Sequence, residues 1–554
     1  MYSPLIHKKP YGASVANQAT TITFPIDSNM RIDRMFVVLR QIFGKEGEVL
    51  CGRNERIELP FAYAKDGIDY FVGTFALSEW GIWKYRFEGE FANGDLAFFG
   101  RGLDGTAIRG DWLPEWQLTV TECDYKTPNW AKRGVIYQIF ADRFCKKGNI
   151  PFTKRGRLHS DWYERPDIAE DGKVYRADDF FGGNIEGIIS KLDYIQSLGV
   201  KCIYLSPIFK SCSNHRYDTG DYLAIDELFG TEEQFKRLLD EANDRGIEIM
   251  LDGVFNHLSW KHPFFLDAQK LGKASKYYDW FVWNPDGSYR TFSSVKAMPK
   301  LNTANPEVIK YFTDLCIDWM RDYGVDAWRL DVSDEISHRF LRAYRESLVR
   351  EKPDVIIIGE DWHRQNWYLN GDEYDGVMNY GFTKACLDLF AFNTIDASAF
   401  RDRLVRLYHA FSIPASEKML NLLDSHDTDR FLSRVKGDER KLRSAMAIMF
   451  FYPGIPSVYY GDEIGLSGGY DPDCRRCFDW EHDYTVTPLW KAIKELIELK
   501  KQPALSAGSF SINESDGVIT IIRAAESQKL VLKVNPNNET RAGIPPYEYK
   551  IMEI

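Results

Sequence analysis

At 554 residues the chain is too long for one ordinary domain, and about 150 residues per domain gives three to four units, fewer if one is a large barrel. Hydrophobic residues at 44% and charged residues at 27% exclude wholesale disorder and collagen-like repetition. A balance of 70 basic against 81 acidic residues, net −11 with no basic stripe, argues against a nucleic-acid partner.

The first segment carries Lys8 and Lys9 without an apolar run, so no secretory signal is expected. The longest apolar run, residues 445–452, is far short of a membrane span, so no membrane partner is expected either. Nine cysteines, an odd number spread from Cys51 to Cys477, read as reduced thiols of a cytoplasmic protein. The single CxxC, Cys474 to Cys477, lacks the further ligands of a zinc site.

Residues 1–125 read as β structure. Trp83-Lys84-Tyr85-Arg86-Phe87 alternates apolar and charged, as does a strand with one wet face, and 20–26 and 35–39 are further strands. No capped helical pattern interrupts them, which predicts an immunoglobulin-like β-sandwich. From about 126 the texture changes. Short apolar runs at 134–140, 201–206, 247–254, 325–332, 355–360, 375–380, 419–424 and 455–460 alternate with capped helical patterns. One such helix, 184–198, carries Ile185, Ile188, Ile189, Leu192 and Ile195 on one face, with Gly199 as its stop. Another opens on Thr231 and Gln234 in capping-box spacing, and a third on Pro306. Eight strands with helical spacers predict an α/β fold, a (β/α)8 TIM barrel over 126–500. An excursion domain is expected after strand three at 257–305, and a C-terminal β domain at 501–554.

Active sites of such barrels lie at the C-terminal ends of the strands. Four predicted strand ends carry carboxylates: Asp252 with Asn256 and His257, Arg329 with Asp331, Glu360 with Trp362, and Asp424 with His426 and Asp427. Four acidic strand ends converging on one mouth point to chemistry rather than helix capping.

The segments DGVFNH, GVDAWRLDV, IIGEDW and LLDSHD, in that order, resemble the α-amylase superfamily, glycoside hydrolase family 13. Ser213-Asn-His-Arg-Tyr217-Asp218 before them fits the same pattern. Met298-Pro-Lys-Leu-Asn302, Gly461-Asp-Glu-Ile-Gly and the segment from Gly469 through Asp471 to Arg475 look like its neopullulanase, cyclomaltodextrinase and maltogenic amylase branch. The resemblance implies a retaining hydrolase of cyclodextrins, pullulan and maltooligosaccharides, with Asp331 as nucleophile and Glu360 as acid and base. It implies Asp427 as the third carboxylate, stabilising the transition state. Arg329, two residues before Asp331 on one strand, is expected to keep it ionised, and neighbouring carboxylates to keep Glu360 protonated. Tyr217, His257, Arg329, Trp362, His426, Asp471 and Arg475 are implied to hold the sugar, with Asp252 and Asn256 in support, Asp252 by orienting Arg329. A glucan transferase on the same intermediate is the alternative, and a non-catalytic glycan-binding barrel a remote one, since all three carboxylates are present. A homodimer through the N-terminal domain is implied by the branch. No cofactor is expected to be required, with calcium kept open at a degraded loop. Relatives carry an Asn/Asp-rich calcium loop after strand one, but here it reads Arg143-Phe-Cys145-Lys146-Lys147-Gly-Asn149, with poor calcium ligands.

Overall fold

The structure, a computed structural model, describes residues 1–10, 12–43, 54–102, 105–121, 127–149, 151–167, 177–362, 368–411 and 413–554; Cys51 and Cys123 lie outside them. It divides into two compact units. One comprises Met1–Lys126, His363–Asp375 and Ser398–Glu417; the other comprises Thr127–Trp362, Gly376–Ala397 and Lys418–Ile554. No helix among the described residues is long and apolar enough to cross a membrane.

In the first unit two sheets share one core. A four-stranded sheet contains Thr20–Asp27 and Ile68–Phe75, and a seven-stranded sheet contains Arg34–Phe43, Gly81–Glu90 and Trp116–Thr121. Alternation decides which side chains go inward: Trp83, Tyr85 and Phe87 are buried, while Lys84 and Arg86 between them are only partly so. They pack with Phe24, Phe71, Val37, Phe99 and Leu118 from both sheets.

The second unit is built on eight parallel strands: β1 (Ile136–Ile139), β2 (Cys202–Leu205), β3 (Glu248–Gly253), β4 (Ala327–Leu330), β5 (Ile356–Gly359), β6 (Gly376–Val377), β7 (Leu420–Asn421) and β8 (Ile455–Tyr459). They pair in the order 6-5-4-3-2-1-8-7, and a parallel bridge between Met378 and Leu420 joins the two ends into a barrel. That seam is tight: a Cβ at Gly376 would lie 2.1 Å from the Lys418 carbonyl oxygen. Inward residues of β1 to β5 and of β8, among them Ile136, Cys202, Tyr204, Met250, Ala327, Ile356, Ile358 and Ile455, fill the barrel as a packed core.

The helices start where the sequence signals them. Thr231 and Gln234 form a reciprocal capping box on Glu232–Asp244. Asn305 caps Pro306–Tyr323, which stops at left-handed Gly324. The expected helix over 184–198 is instead two, Ile185–Ile189 and Leu192–Leu198. Ser190 sits at the break and its Oγ donates to the Gly187 carbonyl (2.7 Å), a side-chain bond that competes with the backbone ladder. Between β3 and the Asn305 cap, the helix Pro263–Leu271 and the bridges His257↔Lys300 and Phe281↔Leu301 organise the intervening chain. Ser509–Ser515, Val518–Ala525, Gln528–Val534 and Tyr549–Glu553 form a closing antiparallel meander.

Candidate active site

The C-terminal ends of β3, β4 and β5 bring the charged residues together through ladder register. Asp252 on β3 pairs with Arg329 on β4, so their inward side chains are neighbours. The ladder continues past the strands, with Asp331 N–H donating to Gly253 O (3.0 Å) and Glu360 N–H to Leu330 O (2.9 Å). Both carboxylates are thereby fixed by backbone, not by loop conformation.

Arg329 is fully buried at the centre of three carboxylates. Its Nη1 donates to Asp252 Oδ1 and Oδ2 (2.9 and 3.0 Å) and to Asp331 Oδ1 (2.9 Å). Its Nη2 makes an ion-pair contact of 2.8 Å with Glu360 Oε2. Glu360 also accepts from Val332 N–H at Oε2 (2.9 Å) and from Trp362 Nε1–H at Oε1 (3.1 Å). Val332 makes that bond from a left-handed backbone, φ 45° and ψ 43°. For a β-branched residue that conformation stores about 1–3 kcal/mol of strain, paid by the surrounding structure. Trp362, two-fifths exposed, lies flat on Tyr380, with ring centroids 3.5 Å apart at 9°.

A second group surrounds Asp427. Gln138 on β1 donates its amide N–H to His426 Nδ1 (2.7 Å), which leaves the imidazole proton on Nε2. That Nε2 lies 2.6 Å from the Tyr217 hydroxyl and 3.1 Å from Asp427 Oδ2. The Tyr217 hydroxyl donates in turn to Asp252 Oδ2 (2.8 Å), so Asp252, Tyr217 and His426 form one chain of hydrogen bonds, with Asp427 beside its end. Tyr217 is aimed by its own loop: its N–H donates to His215 Nδ1 (3.0 Å), and Arg216 before it is left-handed at φ 63°. Burial, with Arg475 and Arg329 nearby, pushes the His426 pKa well below the usual imidazole range. His257, stacked on Phe292 at 5.0 Å, is likewise pushed down to about 3 by burial. Both rings are therefore neutral at pH 7. Arg475 Nη1 pairs with Asp471 Oδ1 (2.9 Å), its Nη2 with Asp427 Oδ1 (3.2 Å), and its Nε donates to the His426 carbonyl (2.8 Å). Burial pushes Asp471 up to about 6, and Asp427 repels its charge while Arg475 opposes the rise.

One expectation is corrected. Arg329 does lower the Asp331 pKa, but burial outweighs it, aided by Glu360, Asp252 and Asp427, and the group sits well above the usual carboxylate range. The charge state of Asp331 is therefore governed by burial and by its acidic neighbours as well as by Arg329. All twelve residues singled out from the sequence lie in the second unit. Asp252, Arg329, Asp331, Glu360 and Trp362 form one bonded network, joined through Tyr217 to His426, Asp427, Asp471 and Arg475. Asn256 and His257 adjoin at the end of β3, where Asn256 Nδ2 is 3.5 Å from His257 Nδ1. Asn256 Oδ1 is buried without a hydrogen-bond partner, a valence of the kind a substrate hydroxyl satisfies.

Four further residues complete the site. Gln138 orients His426, and Tyr204 on β2 donates to Asp252 Oδ2 (2.6 Å). Tyr380 supports Trp362, and Phe292 supports His257. Gln138 and Tyr204 had a signal, a polar group at an inward position of a barrel strand; Tyr380 and Phe292 had none.

The loop after β1 offers poor cation chemistry. Arg143, fully buried, donates to Asp142 Oδ2 (2.7 Å), to the Asp179 carbonyl (2.8 Å) and to the Arg475 carbonyl (2.8 Å). Asn184 Oδ1 caps the following helix through Gly187 N–H (2.8 Å). A guanidinium thus occupies oxygens that a calcium ion would need, and the loop does not fit one. His159, Asp167 and Asp179 form a trio of metal-competent groups, but Asp179 is bonded to His159, and Asp167 to Arg157 (3.0 Å). Cys474 donates to the His426 carbonyl (3.1 Å), and burial pushes its thiol up to about 12, which makes it a structural thiol.

The alpha amylase catalytic-domain family matches residues 138–506. The intracellular maltogenic amylase of Bacillus subtilis is 42% identical over 430 residues, 76% of this chain and 71% of that protein. Neopullulanase 2 of Thermoactinomyces vulgaris is 41% identical over 494 residues, 86% of this chain and 82% of that protein. A solved cyclomaltodextrinase structure superposes with a TM-score of 0.72 at 30% identity, covering 96% of this chain and 90% of its own. Barrel, strand-end carboxylates and these likenesses agree: the chain belongs to the α-amylase family and is a glycoside hydrolase of it.

Proposed function

We propose that the protein hydrolyses α-1,4-glucosidic bonds in cyclodextrins, pullulan and maltooligosaccharides with net retention. The observation that carries this is the sharing of Arg329 by Asp331 and Glu360. Two carboxylates on one guanidinium lie close, which suits the separation of about 5 Å in retaining enzymes rather than the ~6.5–9.5 Å of inverting ones. In the reactive state Asp331 is ionised and the cluster's proton is on Glu360. Glu360 gives that proton to the leaving glycosidic oxygen while Asp331 attacks the anomeric carbon; Glu360 then takes a proton from the water that releases the sugar. Asp427, held by Arg475 beside His426, stabilises the oxocarbenium-like charge in this reading. Tyr217, His257, Trp362, Asp471 and Arg475 grip the glucan.

The proposal extends to the setting. Buried reduced thiols and the likeness to an intracellular relative support a cytoplasmic enzyme. Arg143 in the loop after β1 supports activity without calcium. The fully exposed strand Phe61–Lys65, with Phe61 and Tyr63 outward, supports a homodimer through the N-terminal domain, which sedimentation velocity tests. The deciding experiment incubates wild type and Asp331→Asn with cyclodextrin, pullulan and soluble starch, with products followed by chromatography and anomer by NMR. The α-anomer from wild type and a loss of at least about 10³-fold in the variant are expected. Equal release by both proteins refutes the assignment.

A further inference from the structure

The first unit holds a cavity of about 230 Å³ between its sheets and the chain at 405–410, lined by Lys8, Lys84, Arg101, Arg406, His409 and Glu115. Its charge is lopsided. Glu115 is the one acid among these lining residues, and it is already paired with Arg40 (2.8 Å) and Arg86 (3.4 Å). Among the described residues neither Arg101 nor Arg406 has an ion-pair partner, and neither does Lys8, which is 4% exposed and donates only to the carbonyls of Pro10 (2.8 Å) and Gly12 (2.6 Å). Lys84 reaches only the Gln117 side-chain oxygen (3.4 Å). Three cations, with Lys8 as a fourth basic group, thus converge on one concavity without a counter-charge of their own. They also repel one another. Burial and the facing Arg406 push the Arg101 pKa down, and burial together with Arg101 does the same to Lys84. Burial pushes Lys8 down to about 7 and His409 to about 3.

Lys8 is buried and Lys84 and Arg101 half-buried, and unpaired cations taken out of water are costly unless something negative joins them. We propose that this cavity binds a small phosphate-bearing anion, either inorganic phosphate or a monophosphate ester of a single sugar. Two guanidinium forks match the oxygens and double charge of a phosphate group better than a neutral glucan. The volume is below the ~300 Å³ at which pockets begin to enclose drug-sized ligands, which suits a small anion better than an oligosaccharide. Every lining residue belongs to the first unit, so the site is independent of the hydrolytic residues.

Isothermal titration of the full chain at pH 7 with potassium phosphate, and separately with glucose 6-phosphate, tests this against potassium chloride at equal ionic strength. Saturable binding of either is expected, weakened roughly 10- to 100-fold in Arg101→Gln and in Arg406→Gln. Tighter binding of the ester assigns a sugar phosphate; equal binding assigns the phosphate group alone. Heats no larger than those of chloride, or equal affinity in the variants, overturn the proposal. Arg406 is exposed, so its replacement leaves the fold intact. Without phosphate Arg406→Gln melts no lower than wild type, since one of two repelling charges is gone, and a lower melting temperature counts against the proposal.

Discussion

Replacing Arg329 with glutamine tests the electrostatic centre of the barrel. The guanidinium is fully buried and lies 2.8–3.0 Å from Asp252, Asp331 and Glu360. At an effective dielectric of 20, each contact is worth about 6 kcal/mol before desolvation. Removing one partner of such a buried set costs about 3–5 kcal/mol net, because the carboxylates left behind have no cation. They answer by binding a proton, and that gives the effect a pH signature. Native Arg329→Gln then holds one more proton than native wild type, and relative to wild type it loses about 1.4 kcal/mol of stability per pH unit as pH rises above the unfolded carboxylate range. A penalty of about 4 kcal/mol at pH 8 therefore shrinks by about that amount by pH 5. At roughly 2 °C or less per kcal/mol for a chain this long, the melting temperature of the variant is several degrees below wild type at pH 8 and approaches it at pH 5. Differential melts of both proteins between pH 5 and 8 measure this directly. A loss that stays constant across that range would mean that Arg329 acts through packing, and the reasoning about the carboxylates would fail.

Tyr217→Phe removes the hydroxyl that links Asp252 to His426 and lowers kcat/KM about 10- to 100-fold in steady-state assays, with little change in melting temperature. Asp471 titrates at about 6, so wild-type KM rises as pH falls below 6 and the Asp471–Arg475 pair is lost. Asp471→Asn has a high KM at every pH and abolishes that acid limb. Dialysis against EDTA leaves hydrolysis and melting temperature unchanged, whereas loss restored by calcium would refute the account of Arg143. Gly376→Ala puts a Cβ against Lys418 O at 2.1 Å, and the forced shift at the β6–β7 seam costs about 1–3 kcal/mol or more, read as a lower melting temperature.

The barrel was legible because its strands are continuous apolar runs separated by capped helices. All eight expected runs contain a strand, even at β6 and β7, where only two residues each meet the ladder. Capping chemistry is local, so Thr231 with Gln234 and Asn305 with Pro306 could be read directly. The broken helix after Asn184 could not, because periodicity of Ile185, Ile188, Leu192 and Ile195 continues through the break. Ser190 bonding back to Gly187 changes the backbone without disturbing the apolar face.

The chemistry of the site divides in the same way. Asp252, Asp331 and Glu360 could be placed at one mouth because strand ends and register are consequences of the ladder. The protonation state of Asp331 is different in kind. Spacing exposes one interaction, Arg329 two residues upstream, and that interaction alone favours the ionised carboxylate. Burial and the approach of Glu360, Asp252 and Asp427 depend on three other strand ends, and together they reverse the sign. A nucleophile that must be ionised inside a proton-rich cluster needs its partner to hold the proton. Glu360, which accepts from Val332 and Trp362 and shares Arg329 with Asp331, is the neighbour to which the proposed mechanism gives that proton. Substrate that displaces the Trp362 bond would free Glu360 Oε1 to carry the proton toward the glycosidic oxygen.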